Sequence, residues 1–194
     1  MARLKIGMDV DGVISDFVFA FRREAKVVFH KNFPTTNTDW DFADWGLSAK
    51  DISKVWRHIK GIKDWFYLHV PARKGATSNL PYLDALHELT FITTRIQTEG
   101  LPIRRQTQMA LDEIGANSPV VIVTKEKGPI ARDLQLDAFI DDKPENLTDV
   151  HRDSPTTKLF IMDQPYNQNF NPEWATRVSS LDEFSSEIDK LAKT

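Results

Sequence analysis

Leu4-Lys5-Ile6-Gly7-Met8-Asp9-Val10-Asp11-Gly12-Val13 carries an alternating apolar run straight into two carboxylates and a glycine. Leu4, Ile6 and Met8 recur at period two, the repeat of a short strand with a buried face. The same period starts Asp9 and Asp11 on a common side where the strand should stop, and Gly12 lets the backbone turn sharply beyond them. Asp11-Gly12 is also an ordinary hairpin-turn dipeptide, so the pair alone does not separate a turn from a site. Two crowded acids repel each other, and a divalent cation relieves that repulsion. Mg²⁺ suits such a place because it takes hard oxygen ligands and keeps waters that a phosphate can displace.

Further apolar runs with strand character follow at Leu89–Thr93, Val120–Thr124, Ala138–Ile140 and Leu159–Met162. Helical patterns accompany them at Leu80–Glu88, Ile103–Ile114, Ile130–Leu134 and Pro144–Val150. Leu181–Leu191 closes the chain with Leu181, Phe184, Ile188 and Leu191 on one helical face. Gly115 is placed to end its helix. Strands alternating with helices over short connections predict an α/β protein with a mostly parallel sheet covered on both faces.

The first interval breaks this rhythm. About 80 residues separate the first strand from the second, where a parallel crossover needs only a dozen or so. Trp40, Trp45, Trp56 and Trp65 fall there with Phe17, Phe21, Phe42, Phe66 and Tyr67, leaving only Trp174 of the five tryptophans outside. Residues 16–72 are therefore read as a small helical cap inserted into a core made of residues 1–15 and 73–194, with Asp16 as a helix N-cap at its start.

At 194 residues and 41% hydrophobic content, the chain suits one domain with an insertion. A net charge of −3 and a pI near 6.0 oppose general nucleic-acid binding. The absence of cysteine excludes disulfides, thiolate metal sites and a Cys nucleophile. The N-terminal residues lack a signal-peptide pattern, and no apolar run approaches the roughly 20 residues of a membrane span. A soluble, cytoplasmic protein without membrane or stable nucleic-acid partners is expected.

In a parallel sheet, ligands bind outside the C-terminal ends of the strands. The first strand ends on Asp9 and Asp11, the second on Thr93-Thr94-Arg95, and the third runs into Thr124-Lys125-Glu126-Lys127-Gly128-Pro129. The fourth ends on Asp141-Asp142, followed by Lys143-Pro144. Each has a plain alternative: strand propensity for the threonines, solvation for the lysines, a helix start for the second acid pair. Together they set acids, hydroxyls and ammonium groups on one rim, the donor set of a phosphate and metal site.

DVDGVISDF, FITTR, TKEKG, FIDDKPEN and FIMDQPYN make the chain resemble the haloacid-dehalogenase-like (HAD) phosphohydrolases, and within them the pyrimidine 5′-nucleotidases and 5′(3′)-deoxyribonucleotidases. The likeness spans nearly the whole chain, strongly in these motifs and weakly through the cap. It implies a Rossmann-like three-layer sheet, Mg²⁺ as cofactor and a small-molecule phosphate monoester as partner, and a homodimer is compatible with it. It further implies Asp9 as nucleophile, Asp11 as general acid/base, Thr94 as the phosphate-binding hydroxyl, and Lys127 rather than Lys125 as the third-motif lysine. Asp142 would ligate the metal directly and Asp141 through water, with Asp9 and the Asp11 carbonyl completing the protein's share. Phe17 matches an aromatic of the base pocket, and Trp40 and Phe42 are candidates to stack on a base. Arg95 departs from the pattern, standing where the deoxyribonucleotidases carry a small hydroxyl residue. It is expected either to bind a second anionic group of the substrate or to point to solvent.

The chemistry expected is attack by Asp9 on a phosphate monoester, with Asp11 moving the proton. Nucleoside monophosphates lead as substrates, because a flat base suits an aromatic cap. A sugar phosphate or another small phosphorylated metabolite is the second reading, and a non-catalytic phosphate- or metal-binding module the third.

Overall fold

The computed structural model describes residues 2–193. Six strands, β1 (Lys5–Met8), β2 (Glu88–Thr93), β3 (Val120–Val123), β4 (Ala138–Asp141), β5 (Lys158–Met162) and β6 (Ala175–Val178), form one sheet in the order β3-β2-β1-β4-β5-β6. Every neighbouring pair is parallel, so all strands point their C-terminal ends at one rim. The apolar runs of β1, β2, β4 and β5 form strands buried on both faces. Ile6, Met8, Phe91, Ile140 and Phe160 pack against Leu80, Leu83, Leu111, Phe184 and Ile188 on one side. Ile92, Phe139, Leu159 and Ile161 pack against Ala131, Leu147 and Val150 on the other. Gly7 belongs to this second face: a Cβ there would lie 2.5 Å from Leu136 and 2.6 Å from Phe139, so a side chain would push them off β1.

The helices that supply those residues are α4 (Ala76–Leu86), α5 (Ile103–Glu113), α6 (Lys127–Asp133), α7 (Pro144–Asp153) and α8 (Leu181–Leu191). Gly115, at φ +99°, follows α5 as expected. Two elements differ from the sequence reading. The helix expected from Leu80 starts four residues earlier, after Gly75, whose carbonyl accepts from both the backbone and the side-chain amide of Asn79. The edge strand β6 was not expected, since Ala-Thr-Arg-Val is short and only Val178 is buried.

Between β1 and α4 lie α1 (Phe17–Phe29), a 3-10 turn at Ala43–Trp45, α2 (Ala49–Lys60) and the short α3 (Trp65–Leu68). Asp16 caps α1 by accepting from the Phe19 amide at 3.0 Å, and Ser48 with Asp51 forms a capping box on α2. These helices share a hydrophobic cluster of their own, in which Phe21 stacks on Phe42 with ring centroids 4.4 Å apart. The chain leaves and re-enters the sheet side by side: Ser15 bridges to both Asp11 and Ala72. That crossing holds the helical insertion over the rim of β1, β2 and β4.

Among the described residues, no helix is long and apolar enough to cross a membrane.

Candidate active site

Asp9 follows β1 directly, and Asp141-Asp142 ends β4 beside it. Parallel pairing of β1 with β4 brings the carboxylates together: oxygens of Asp9, Asp141 and Asp142 all lie within 4.8 Å of one another. Lys127, at the start of α6, reaches into this group and is itself buried. Its ammonium donates to Asp141 Oδ2 at 2.6 Å and stands 2.9 Å from Asp9 Oδ1. One ammonium against three buried carboxylates leaves surplus negative charge where water cannot screen it.

Burial therefore pushes the Asp9 carboxyl up to about 7; Lys127 pulls against that rise, while Asp141 and Asp11 add to it. Burial, then Asp141 and Asp9, likewise hold Asp142 well above the usual carboxylate range. Burial alone would lower Lys127, but Asp141 and Asp9 outweigh it and keep the ammonium above its ordinary pKa.

The neighbouring acids at the end of β4 are treated differently. Asp141 is saturated with donors: Lys127, the Lys143 amide at 2.9 Å, and the Asn146 side-chain amide at 3.0 Å to each oxygen. Asp142 accepts on Oδ2 from the Tyr166 hydroxyl, while its buried Oδ1 accepts no hydrogen bond among the described residues. Gly12, at φ +81°, passes so close that a Cβ there would run into Asp142 Oδ2. A bare buried oxygen, surplus negative charge and all-carboxylate donors are what a hard divalent cation fits.

Asp11 does not join this trio. β1 ends at Met8 and Asp11 lies beyond it, bridged to Ser15, so Asp9 and Asp11 line one cavity while only the Asp9 carboxylate belongs to the three-acid cluster. The carboxylate of Asp11 is instead gripped by Arg95, which donates from Nε at 2.8 Å and from Nη2 at 2.7 Å. The expectation for Arg95 is corrected accordingly. Its side chain is 1% exposed and faces neither solvent nor a free anionic subsite, because Asp11 neutralises it.

A cavity of about 370 Å³ opens onto Asp9 and Asp11, whereas the fully buried Asp141 and Asp142 do not line it. Asp9, Asp11, Thr93, Thr94 and Lys127 form its floor, and Phe17, Trp40, Trp56 and Phe66 its aromatic wall. Lys143 caps the Trp40 ring at 3.5 Å. Thr94 lines the cavity, but its hydroxyl donates to the Thr124 carbonyl at 2.7 Å; Thr93, the buried end of β2, lines the same space. Phe42 is corrected: it is 3% exposed, stacks on Phe21, packs at a tilt against Trp45, and is absent from the cavity lining. Trp56, Phe66 and Tyr166 were given no site role from the sequence. Trp56 and Phe66 sit among many aromatics of equal appearance. Tyr166 had a signal in the late FIMDQPYN stretch.

This sheet order, with an acid cluster at the C-terminal ends and a helical insertion after β1, is the architecture of the haloacid-dehalogenase-like hydrolases. A HAD-superfamily hydrolase from Geobacter sulfurreducens superposes with a TM-score of 0.63 at 14% identity, over 97% of this chain and 96% of that one. The family described as 5′ nucleotidase, deoxy (pyrimidine), cytosolic type C protein matches residues 3–193, and the chain belongs to it. It is thus a member of a family of phosphomonoester hydrolases. A nucleotidase of Clostridium acetobutylicum is 24% identical over 98% of this chain and 96% of its own length. A protein of Oceanobacillus iheyensis bearing a nucleotidase name is 28% identical over 127 residues, 63% of this chain and 64% of that protein.

Proposed function

We propose that the protein hydrolyses nucleoside monophosphates, with deoxyribonucleotides preferred, through an aspartyl phosphate on Asp9. One observation carries the reading: a single cavity has Asp9 and Lys127 on its floor and four aromatic rings on its wall. The floor suits a phosphate, and the wall suits a flat leaving group.

In the reaction proposed, an Asp9 oxygen attacks phosphorus in line and the ester P–O bond breaks. Asp11 gives a proton to the departing nucleoside oxygen. It then takes one from the water that cleaves the acyl phosphate, returning Asp9 and releasing inorganic phosphate. Lys127 offsets the charge on the phosphoryl oxygens, and Thr93 with Thr94 orients them. Asp9, Asp142 and the Asp11 carbonyl would hold Mg²⁺, with Asp141 acting through water. The cation would supply charge neutralisation of the phosphoryl group. The unpartnered Asp142 oxygen and the saturated Asp141 support that division. The helical insertion, residues 16–72, acts as the substrate-selecting cap.

The test is turnover of dUMP, dTMP, purine monophosphates, sugar phosphates and p-nitrophenyl phosphate, with Mg²⁺ and with EDTA. Preference for nucleotides that disappears in EDTA supports the reading. Equal or better turnover of sugar phosphates overturns the substrate class, and full activity in EDTA overturns the cofactor.

A further inference from the structure

Arg95 makes more of its contacts than a buried ion pair needs. Two of its nitrogens grip Asp11, Nη2 also reaches Ser15 Oγ at 3.2 Å, and Nη1 donates to Thr107 Oγ1 at 3.1 Å. Its guanidinium carbon lies 4.7 Å from the centre of the Phe66 ring. Ser15 belongs to the crossing into the insertion, Phe66 to α3 and Thr107 to α5, so one planar group touches three separate segments while fixing the carboxylate. A buried pair of this kind adds little net stability, because desolvation cancels most of the attraction. What a bidentate guanidinium supplies is orientation.

The acceptor count says what that orientation serves. A carboxylate offers about four lone-pair directions, two on each oxygen. Oδ1 of Asp11 receives Arg95 Nη2 and lies 2.9 Å from Ser15 Oγ, whose one proton it shares with the Val10 carbonyl. Oδ2 receives only Arg95 Nε among the described residues and keeps one direction open, on a side chain that lines the cavity and is 14% exposed. We infer that Arg95 is a positioning residue that presents the open Oδ2 direction of Asp11 as the proton acceptor for the attacking water. This rests on the reading of Asp11 and Asp9 given above. In that step water loses a proton to Asp11 Oδ2, its oxygen bonds to phosphorus, and the bond from phosphorus to the Asp9 oxygen breaks.

The inference predicts a fault in the second half-reaction alone. p-Nitrophenyl phosphate needs little help to lose its leaving group, so the first half stays fast on it. With Arg95→Gln, rapid mixing should show a burst of p-nitrophenolate near one per chain, then a steady state lowered by about 10²-fold, the scale of one proton-transfer catalyst. Acid-quenched protein should carry a phosphoryl group by mass spectrometry, and Arg95→Lys, charged but without the fork, should fall between. Burst and steady state falling by the same factor, or an unchanged steady state, would overturn the role. If Arg95→Gln does not fold, Arg95→Lys decides by the same outcomes. Asp11→Asn separates the layers. A burst there with none in Arg95→Gln sinks only the positioning role, whereas no burst in Asp11→Asn together with turnover by Asp9→Asn sinks the underlying reaction.

Discussion

The rim of the sheet and the interior of the helical insertion both bury residues that are costly to misplace, and they solve the problem in opposite ways. The rim buries charge and leaves it unbalanced: Asp9, Asp141 and Asp142 face one Lys127, and one Asp142 oxygen has no donor among the described residues. The insertion buries aromatic rings and leaves almost nothing unsatisfied. Phe42 stacks on Phe21 and packs at a tilt against Trp45, and the buried acid Glu24 is met by Arg23, His58 and Trp65. Where packing is self-sufficient the region is a scaffold. Where it is deliberately incomplete, the missing component comes from outside.

The sharpest break in this contrast comes from Asp9→Asn. Turnover of p-nitrophenyl phosphate should fall by about 10³-fold or more, since the proposed reaction forms its acyl phosphate on Asp9. In EDTA the same variant should melt above the parent, because a surplus buried charge is gone. A lower melting temperature would mean that the rim is not short of positive charge. Next in size is Phe42→Ala, which should cost about 3–5 kcal/mol in urea denaturation, the range for truncating a buried ring. Stability within 1 kcal/mol of the parent, about the size of a surface change, would return Phe42 to the list of ligand contacts.

Trp40→Ala and Trp56→Ala sit on the boundary between the regions. Each should cost about 1–3 kcal/mol in kcat/KM on a nucleotide if its ring stacks on the base. p-Nitrophenyl phosphate should be largely spared, and equal losses on both substrates would make the tryptophans packing residues.

The smallest effect expected is a pH dependence of metal-free stability. The folded state holds the Asp9 proton up to about 7, while an unfolded chain releases it near 3.8. Between those values the folded state binds more protons than the unfolded one, so stability falls as pH rises through the window. Asp142, raised as well, carries the decline further. The increase in melting temperature on adding Mg²⁺ should therefore be a few degrees larger at pH 8 than at pH 5. A shift independent of pH would separate metal binding from these acids.

Much of this was legible in the sequence. Leu4–Met8, Leu89–Thr93, Val120–Thr124, Ala138–Ile140 and Leu159–Met162 each lie on an observed strand to within a residue or so, because a covered strand is a dense apolar run and the exposed edge strand β3 is one as well. β6 escaped because Ala-Thr-Arg-Val has no apolar run, whereas β3, an edge strand with one buried residue too, is the uninterrupted β-branched run Val-Val-Ile-Val. Asp9, Lys127 and Asp142 come together because each lies at or just beyond a strand's C-terminal end, and parallel strands share that end. Arg95 and Phe42 were misread for one reason: a deciding partner of each, Asp11 and Phe21, is remote in the sequence. Asp11 is 84 positions from Arg95, and nothing local to either says that they meet.

By itself, the sequence determined the parallel sheet, the helices that cover it, the aromatic insertion after β1 and the set of acids at the rim. These follow from periodicity and from where apolar runs stop, which are properties of short segments. Only the tertiary structure decided which acid keeps an open oxygen, which aromatics face the cavity rather than each other, and which carboxylate Arg95 would hold. Those outcomes depend on distances of a few ångströms between segments far apart in the chain, and burial makes each such distance count, since a charge or hydrogen-bonding group removed from water must find its partner inside.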